Sequence, residues 1–290
     1  MPQSLVKPSS RISVVAGRAH RRLGTLGMVC VTIIAVIVLT TLLAPLIAPY
    51  GPYEGSVADR HLAPGVNHLL GTDQSGRDVL SRVIWGARSS LLGPLIVIVV
   101  TAVLATAIAL TAAWYGGRVD SFLGRVLDVL FAFPNILLAI LAIAIFGPSL
   151  LTASLALAIG YVPYSARVIR SVALRERNLP YIAAARMQGI YGFVITVRHI
   201  LPNVWPQILT GMTINFGYAM IELAALSFLG LGVQPPNADW GLMVSSGQSS
   251  LLQGYPEQSV AAGLAIVVTV AAFGYIGERL GGRRAAGRVR

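Results

Sequence analysis

The sequence predicts an all-α membrane protein with six transmembrane helices, and three observations carry that prediction. Of the 290 residues, 55% are hydrophobic and only 11% are charged, less than half the roughly one-quarter charged share of a soluble domain. Several apolar runs approach or exceed the ~20 residues that carry a helix across ~30 Å of hydrocarbon. Pro and Gly stand at most ends of these runs, where helices turn.

The elements follow in order. Residues 1–23 form a basic tail with Lys7, Arg11, Arg18, Arg21 and Arg22. The apolar run from Leu23 to Ile47 is too long for a signal-peptide core of about 7–15 residues. It is read as an uncleaved anchor, a first span over 24–48 that closes at Pro45 and Pro49. Segment 49–90 is external. Within it, Asp73 to Ser89 is expected to form a helix lying along the membrane surface, capped by Thr72 or Asp73. Val79, Leu80, Val83, Ile84 and Ala87 share its apolar face at helical spacing.

Residues 91–280 hold the other five spans. The second covers 91–113 and stops at Trp114-Tyr115-Gly116-Gly117. The third covers 125–146 and stops at Gly147-Pro148, which joins it to the fourth, 149–169, as a tight hairpin. The fifth is expected over 207–230 and the sixth over 259–277. Between them lies a second external segment, 231–258, rich in Gly, Pro, Gln and Ser. A cytoplasmic segment of about 170–206 and a tail of 281–290 complete the chain.

Charge sets the orientation. The net charge is +11 and Lys7 is the only lysine. All but four of the 22 basic residues (Arg60, Arg77, Arg82 and Arg88) fall on one side of this layout. Basic residues mark the cytoplasmic side, so both termini are expected there. The same residues sit in short loops and at the termini rather than in a long stripe, which argues against nucleic acid as a partner.

Several chemistries are excluded. A P-loop needs a lysine after its last glycine, and Lys7 is followed by Pro8. His20, His61, His68 and His199 are scattered, without the His-Glu-x-x-His pair of a zinc protease. There is no Gly-x-Ser-x-Gly elbow, and the lone Cys30 has no partner for an intrachain disulfide. No catalytic or metal-binding set emerges, and any chemistry belongs to another subunit.

Two acidic residues fall in the predicted spans, Glu222 midway along the fifth and Asp128 near the cytoplasmic start of the third. A carboxylate inside a membrane costs several kcal/mol to ionise and is a functional candidate by default. Glu222 is therefore either part of a translocation path or an interhelical hydrogen-bonding group. A self-contained carrier or channel built around it is an open alternative.

The cytoplasmic segment carries the rest. Pro180 suits the first turn of a helix. Tyr181 to Gln188 continue that helix with a small-residue surface at Ala183, Ala184 and Ala185, and Gly189 suits its left-handed end. A second stretch, Phe193 to Ile200, is expected to stop at Leu201-Pro202. A short helix with a small-residue face can lie in a groove on another protein.

The spacing Ala-Ala-Ala-x-x-x-Gly followed by Leu-Pro resembles the loop by which bacterial ABC importer permeases meet their ATPases. More specifically, the chain resembles the C-type permease of dipeptide, oligopeptide and nickel importers. The stretches are LGTDQSGRDVLSRVIWGARSSL (70–91), YGGRVDSFLGRVLDVLFAFP (115–134), RHILPN (198–203) and ELAALSFLGLGVQPPNADWG (222–241). The resemblance implies a type I importer permease fold in the bacterial cytoplasmic membrane. It further implies a homologous second permease, two ATPase subunits that hold ATP and magnesium, and an extracytoplasmic substrate-binding protein. ATPase contact would fall to Tyr181, Ala183, Ala184, Ala185, Arg186, Gly189, Leu201 and Pro202. Asp239, Trp240 and Gly241 would meet the binding protein, although Trp240 suits an interfacial anchor equally well. The family's loop usually begins with Glu where this chain has Ala183. An exposed pair lost there is worth only ~0–1 kcal/mol, so docking by shape survives. Peptide cargo is favoured over nickel because no histidine lies in a predicted span.

Overall fold

The structure, a computed structural model, describes residues 11–286, with side-chain surroundings for residues 24–281. Residues 1–10 and 287–290, parts of the two predicted tails, lie outside the described residues. The described residues form these helices: α1 (Arg11–Leu42), α2 (Ala44–Ile47), α3 (Val79–Tyr115), α4 (Gly117–Phe131), α5 (Asn135–Phe146), α6 (Leu150–Arg177), α7 (Pro180–Met187), α8 (Gly192–Ile195), α9 (Leu201–Phe228), α10 (Trp240–Ser246), α11 (Gln248–Leu252) and α12 (Glu257–Ala286), with a long irregular stretch over 48–78. Four stretches are long and apolar enough to cross a membrane: Gly24–Leu42, Val79–Tyr115, Gly192–Phe228 and Glu257–Gly281. The α4–α5 pair offers a fifth passage.

Three expectations about helix boundaries are corrected. The surface helix over Asp73–Ser89 is not a separate element. Asp78, rather than Thr72 or Asp73, caps a helix that starts at Val79, its carboxylate accepting from the Ser81 N–H at 2.7 Å. That helix runs on through Pro94 into the second span without a break. At 37 residues α3 is about 55 Å long. Its buried residues near the start are Val79, Ser81, Arg82, Gly86 and Ala87, a face chosen by packing rather than by hydropathy.

The third span is broken. α4 and α5 meet at Pro134 with a bend of 81°, because Pro134 denies the helix an N–H donor and forces the residue before it out of helical conformation. The third correction concerns the stop at Leu201-Pro202. A π turn over Thr196–Ile200 instead links α8 to α9, the Leu201 N–H donating to the Thr196 carbonyl five residues back. Widening the ladder by one residue lets the helix continue into Pro202.

Small residues let the helices approach closely. Ala105, Ala109 and Ala113 of α3 pack with Ala166 and Ala173 of α6 and with Leu127 of α4. Thr101 donates to the Ala158 carbonyl at 3.0 Å, joining α3 and α6 through a buried interhelical hydrogen bond. A Cβ on Gly93 would come within 2.8 Å of both Leu150 Cδ1 and Leu223 Cδ1, so α3 lies tightly against α6 and α9 there. α6 is 28 residues long. Its last third carries Arg167, Arg170, Arg175, Glu176 and Arg177, which keeps its mean hydropathy low. α1 packs against α12 and leaves most of its apolar surface open, as a lipid-facing helix does.

Candidate functional site

Three regions hold the candidate residues. The first is the segment of α7 and α8 between α6 and α9. Pro180 opens α7 as expected, and Gly189 follows it at φ +76°, a left-handed conformation that costs other residues about 1–2 kcal/mol. Ile182 and Ala185 turn inward, joining Ala109, Ala113, Ile195 and Ile200 in a core. Ala185 is therefore a packing residue rather than a surface one. Tyr181, Ala183, Ala184, Arg186 and Gly189 are exposed. Leu201 packs against the core beneath, while Pro202 is exposed at the start of α9.

The outer face is more apolar than the alanines alone suggested. Met187 is 89% exposed, Tyr191 82% and Phe193 78%. Together with Ala183 and Ala184 they form an apolar ledge on the Arg-rich side of the bundle. Two ties hold it. At one end the Tyr181 hydroxyl donates to Glu176 Oε1 at 2.5 Å, and Asn203 Nδ2 donates to the same oxygen at 2.8 Å. At the other, the Arg186 guanidinium lies 4.4 Å from the ring centre of Trp114. Gly192 presses on that indole so closely that a Cβ would reach its atoms at 2.4 Å. Trp114, in the last turn of α3, thus seats the segment.

The second region lies between α5, α6 and α9. A cleft of about 400 Å³ is lined by Asn135, Tyr161, Tyr164, Asn215 and Tyr218, with Phe131 at the α4–α5 bend. Asn135 is set by the break at Pro134 and by Gly160, where a Cβ would meet Asn135 Oδ1 at 2.8 Å. Asn215 donates to Ser165 at 3.2 Å. Glu222 stands one turn beyond Tyr218 on α9, beside Tyr161. It is half-buried and engaged by the Tyr161 side chain, and its Oε2 is enclosed without a hydrogen-bond partner among the described residues. Asp128 is elsewhere. It is paired with Arg167, its side chain 68% exposed, in a cleft between α4 and α6 that also holds the Asp120–Arg170 pair. The five polar and aromatic residues of the cleft between α5, α6 and α9 escaped the sequence reading. Asn215, Tyr218 and Glu222, spaced i, i+3, i+7, are the signal that could have found them.

The third region lies around α10. Asp239 caps α10, accepting from the Leu242 N–H at 3.1 Å and from the Ser90 hydroxyl at 2.8 Å. Trp240 is buried, its indole N–H donating to the Val83 carbonyl at 2.8 Å. A Cβ on Gly241 would meet the Ala224 carbonyl oxygen at 2.5 Å. All three residues thus fasten α10 to α3 and α9, and Trp240 is not a membrane-interface anchor. Burial raises the Asp239 carboxyl above its ordinary value of 3.8, outweighing the hydrogen bonds from Ser90 and Leu242 that lower it. A raised folded-state value means stability that is complete at low pH and is lost as pH climbs through that value. Asp239→Asn should therefore flatten the decline of the thermal midpoint with rising pH above 3.8. An unchanged slope in the variant would show that Asp239 contributes none of it.

A bundle of membrane-crossing helices with an exposed apolar segment between two of them is a multi-pass membrane protein, and its class comes from the families it matches. Residues 103–284 match the family described as binding-protein-dependent transport system inner membrane component, and residues 24–64 match the N-terminal transmembrane domain of oligopeptide transport permease C. The chain belongs to this family of multi-pass inner-membrane permeases, which work with an ATPase and a binding protein and do not hydrolyse ATP themselves. It is 38% identical to the dipeptide transport system permease protein DppC of Alkalihalophilus pseudofirmus, over 88% of this chain and 84% of that one. It is 35% identical to the di/tripeptide transport system permease protein DppC of Pseudomonas aeruginosa, over 96% and 92%. The fold is also that of a chain in an inward-facing structure of the MetNI methionine ABC transporter, with TM-score 0.53, 18% identity and coverage of 73% and 98%.

Proposed function

We propose that the chain is one of two paired permeases in an ATP-driven importer of short peptides, with six spans and both ends in the cytoplasm. α6 is the fourth span and the bent α4–α5 pair the third. Two ATPase subunits dock on the ledge of Ala183, Ala184, Met187, Tyr191 and Phe193, with Tyr181, Arg186 and Gly189 at its margins. The ledge is the observation that carries this reading, because such an apolar surface outside the membrane calls for a partner. Ala185 and Leu201 support it from beneath, and Pro202 stands exposed beside it. ATP and magnesium belong to those partners. Peptide cargo is supported by what the relatives transport.

The translocation path runs by Glu222 and the tyrosine–asparagine cleft, and Asp128 flanks its cytoplasmic mouth. The binding protein meets the external face built on α10, which Asp239, Trp240 and Gly241 hold in place. Purifying the tagged chain in mild detergent from its native host tests the assembly. A second permease and P-loop ATPases are expected to come with it, and the reconstituted complex should take up dialanine only with ATP. A homo-oligomer that transports without ATP would overturn the reading in favour of a carrier.

A further inference from the structure

The seam between α6 and α9 holds a second hollow, to which the proposed path assigns no role. It is a pocket of about 90 Å³ walled by Val168 and Ile169 of α6 and by Ile208, Gly211 and Met212 of α9, with Ile98 of α3 behind them. Tyr164, Ile214 and Asn215 line both this pocket and the tyrosine–asparagine cleft, so the two adjoin along one seam. The threonine and serine hydroxyls in its wall are engaged. Thr101 donates to the Ala158 carbonyl and Thr210 to the Pro206 carbonyl, each at 3.0 Å, and Ser165 accepts from Asn215 at 3.2 Å. No acidic or basic side chain of the described residues lines it. Apart from Tyr164 and Gln207 at its rim, what remains open is aliphatic surface, which fits an uncharged apolar group.

Nothing among the described residues requires glycine at position 211. Its backbone is ordinary helix inside α9, and a Cβ there would meet nothing within 4 Å, whereas a Cβ on Gly93, Gly192 or Gly241 would clash. Glycine weakens a helix relative to alanine. What the missing side chain provides is room in the pocket.

We infer that the pocket admits an apolar side chain of the imported peptide while the peptide lies in the adjoining cleft, and that Gly211 sets the size admitted. This inference rests on the peptide-importer reading and deepens it. The volume is below the roughly 150 Å³ of a cavity that houses benzene, so it suits an aliphatic side chain of about leucine size rather than an aromatic ring. A lipid tail suits the seam less well. The cleft that continues the pocket carries the Asn135 amide and the exposed Tyr164 and Tyr218 side chains, polar groups that hydrocarbon does not satisfy.

The test uses the whole complex, with its binding protein, reconstituted in proteoliposomes. ATP-driven uptake of dileucine is compared with uptake of dialanine, each supplied bound to the binding protein. Gly211→Ala adds one methyl group to the pocket wall and Gly211→Leu adds a branched side chain. Co-purification of the second permease and the ATPase with each variant shows that the complex has assembled. The expected result is a fall of about tenfold or more in the ratio of dileucine to dialanine uptake with Gly211→Leu, and a smaller fall with Gly211→Ala. An unchanged ratio would overturn the inference. If both uptakes fell together, position 211 would be a contact with the paired permease or with lipid, and if neither fell, the pocket would be idle. Failure of the wild-type complex to import dialanine with ATP would instead remove the importer reading, a result independent of any change at position 211.

Discussion

Gly192→Val should cut ATP-driven uptake by about tenfold or more, since overpacking costs about 1–3 kcal/mol and each 1.36 kcal/mol is a factor of ten. The chain should still insert in the membrane. A Cβ at this position would meet three atoms of the Trp114 ring at 2.4–2.5 Å, distances no real contact tolerates. The indole resists swinging away, because one side of it packs on the core beneath α7 and the Arg186 guanidinium lies over its ring. The start of α8 must therefore lift, and the ledge that follows α7 lifts with it. Uptake and ATP hydrolysis measured on the same vesicles would separate the effects, with hydrolysis retained and transport lost. Removing the obstacle with Trp114→Ala in the Gly192→Val background should restore part of the uptake. Normal transport by Gly192→Val alone would show that the seating of this segment on α3 is irrelevant to coupling.

The second large effect is expected at the other end of the molecule. Gly241→Val would bring a Cβ against the backbone of Ala224, at 2.5 Å from its oxygen and 2.8 Å from its Cα. Helical backbone cannot move aside as a side-chain tip can. α10 should detach from α9, with a loss of about 2–3 kcal/mol and a fall of about 5 °C or more in the thermal midpoint. Detachment also exposes Trp240, so its indole fluorescence should shift towards the red in the variant. A midpoint within a degree of wild type would mean that α10 is not fastened as described.

These positions mark how far the sequence could be read. The long apolar runs, the Pro180 start and the Gly189 end of α7 were legible because each follows from local chemistry: hydropathy, a missing N–H, a left-handed turn. Boundaries that depend on distant packing were not. Arg82 and the small residues Gly86 and Ala87 gave no sign that α3 continues across the predicted surface helix, since their burial is against segments far along the chain. Pro134 interrupts an apolar run that passes every hydropathy test, so the bend is invisible to a window average although the proline itself is plain. The alanines of α7 attracted notice as a set, yet helical geometry turns Ala185 inward and leaves Ala183 and Ala184 outside. Met187, Tyr191 and Phe193 carried no such signal in the sequence, and the fold leaves all three uncovered among the described residues. Asp239, Trp240 and Gly241 looked like a surface signature, and instead the residues they pack on, Ser90, Val83 and Ala224, lie in two other helices.

The tight contact at Gly93 has a mechanical corollary. Val79 lies 14 residues to one side of it and Trp114 lies 21 to the other, arms of about 21 Å and 32 Å at 1.5 Å per residue. α3 runs through Pro94 without a break, and a helix rocking there as one body behaves as a seesaw. A push of about 3 Å on the Trp114 arm swings the Val79 arm about 2 Å in the opposite direction. Helix α10, gripped through Val83 and Ser90 on the shorter arm, would be carried one way while the ledge is carried the other. One mouth of a passage beside α3 can thereby narrow as the other widens, with no change in the helix itself.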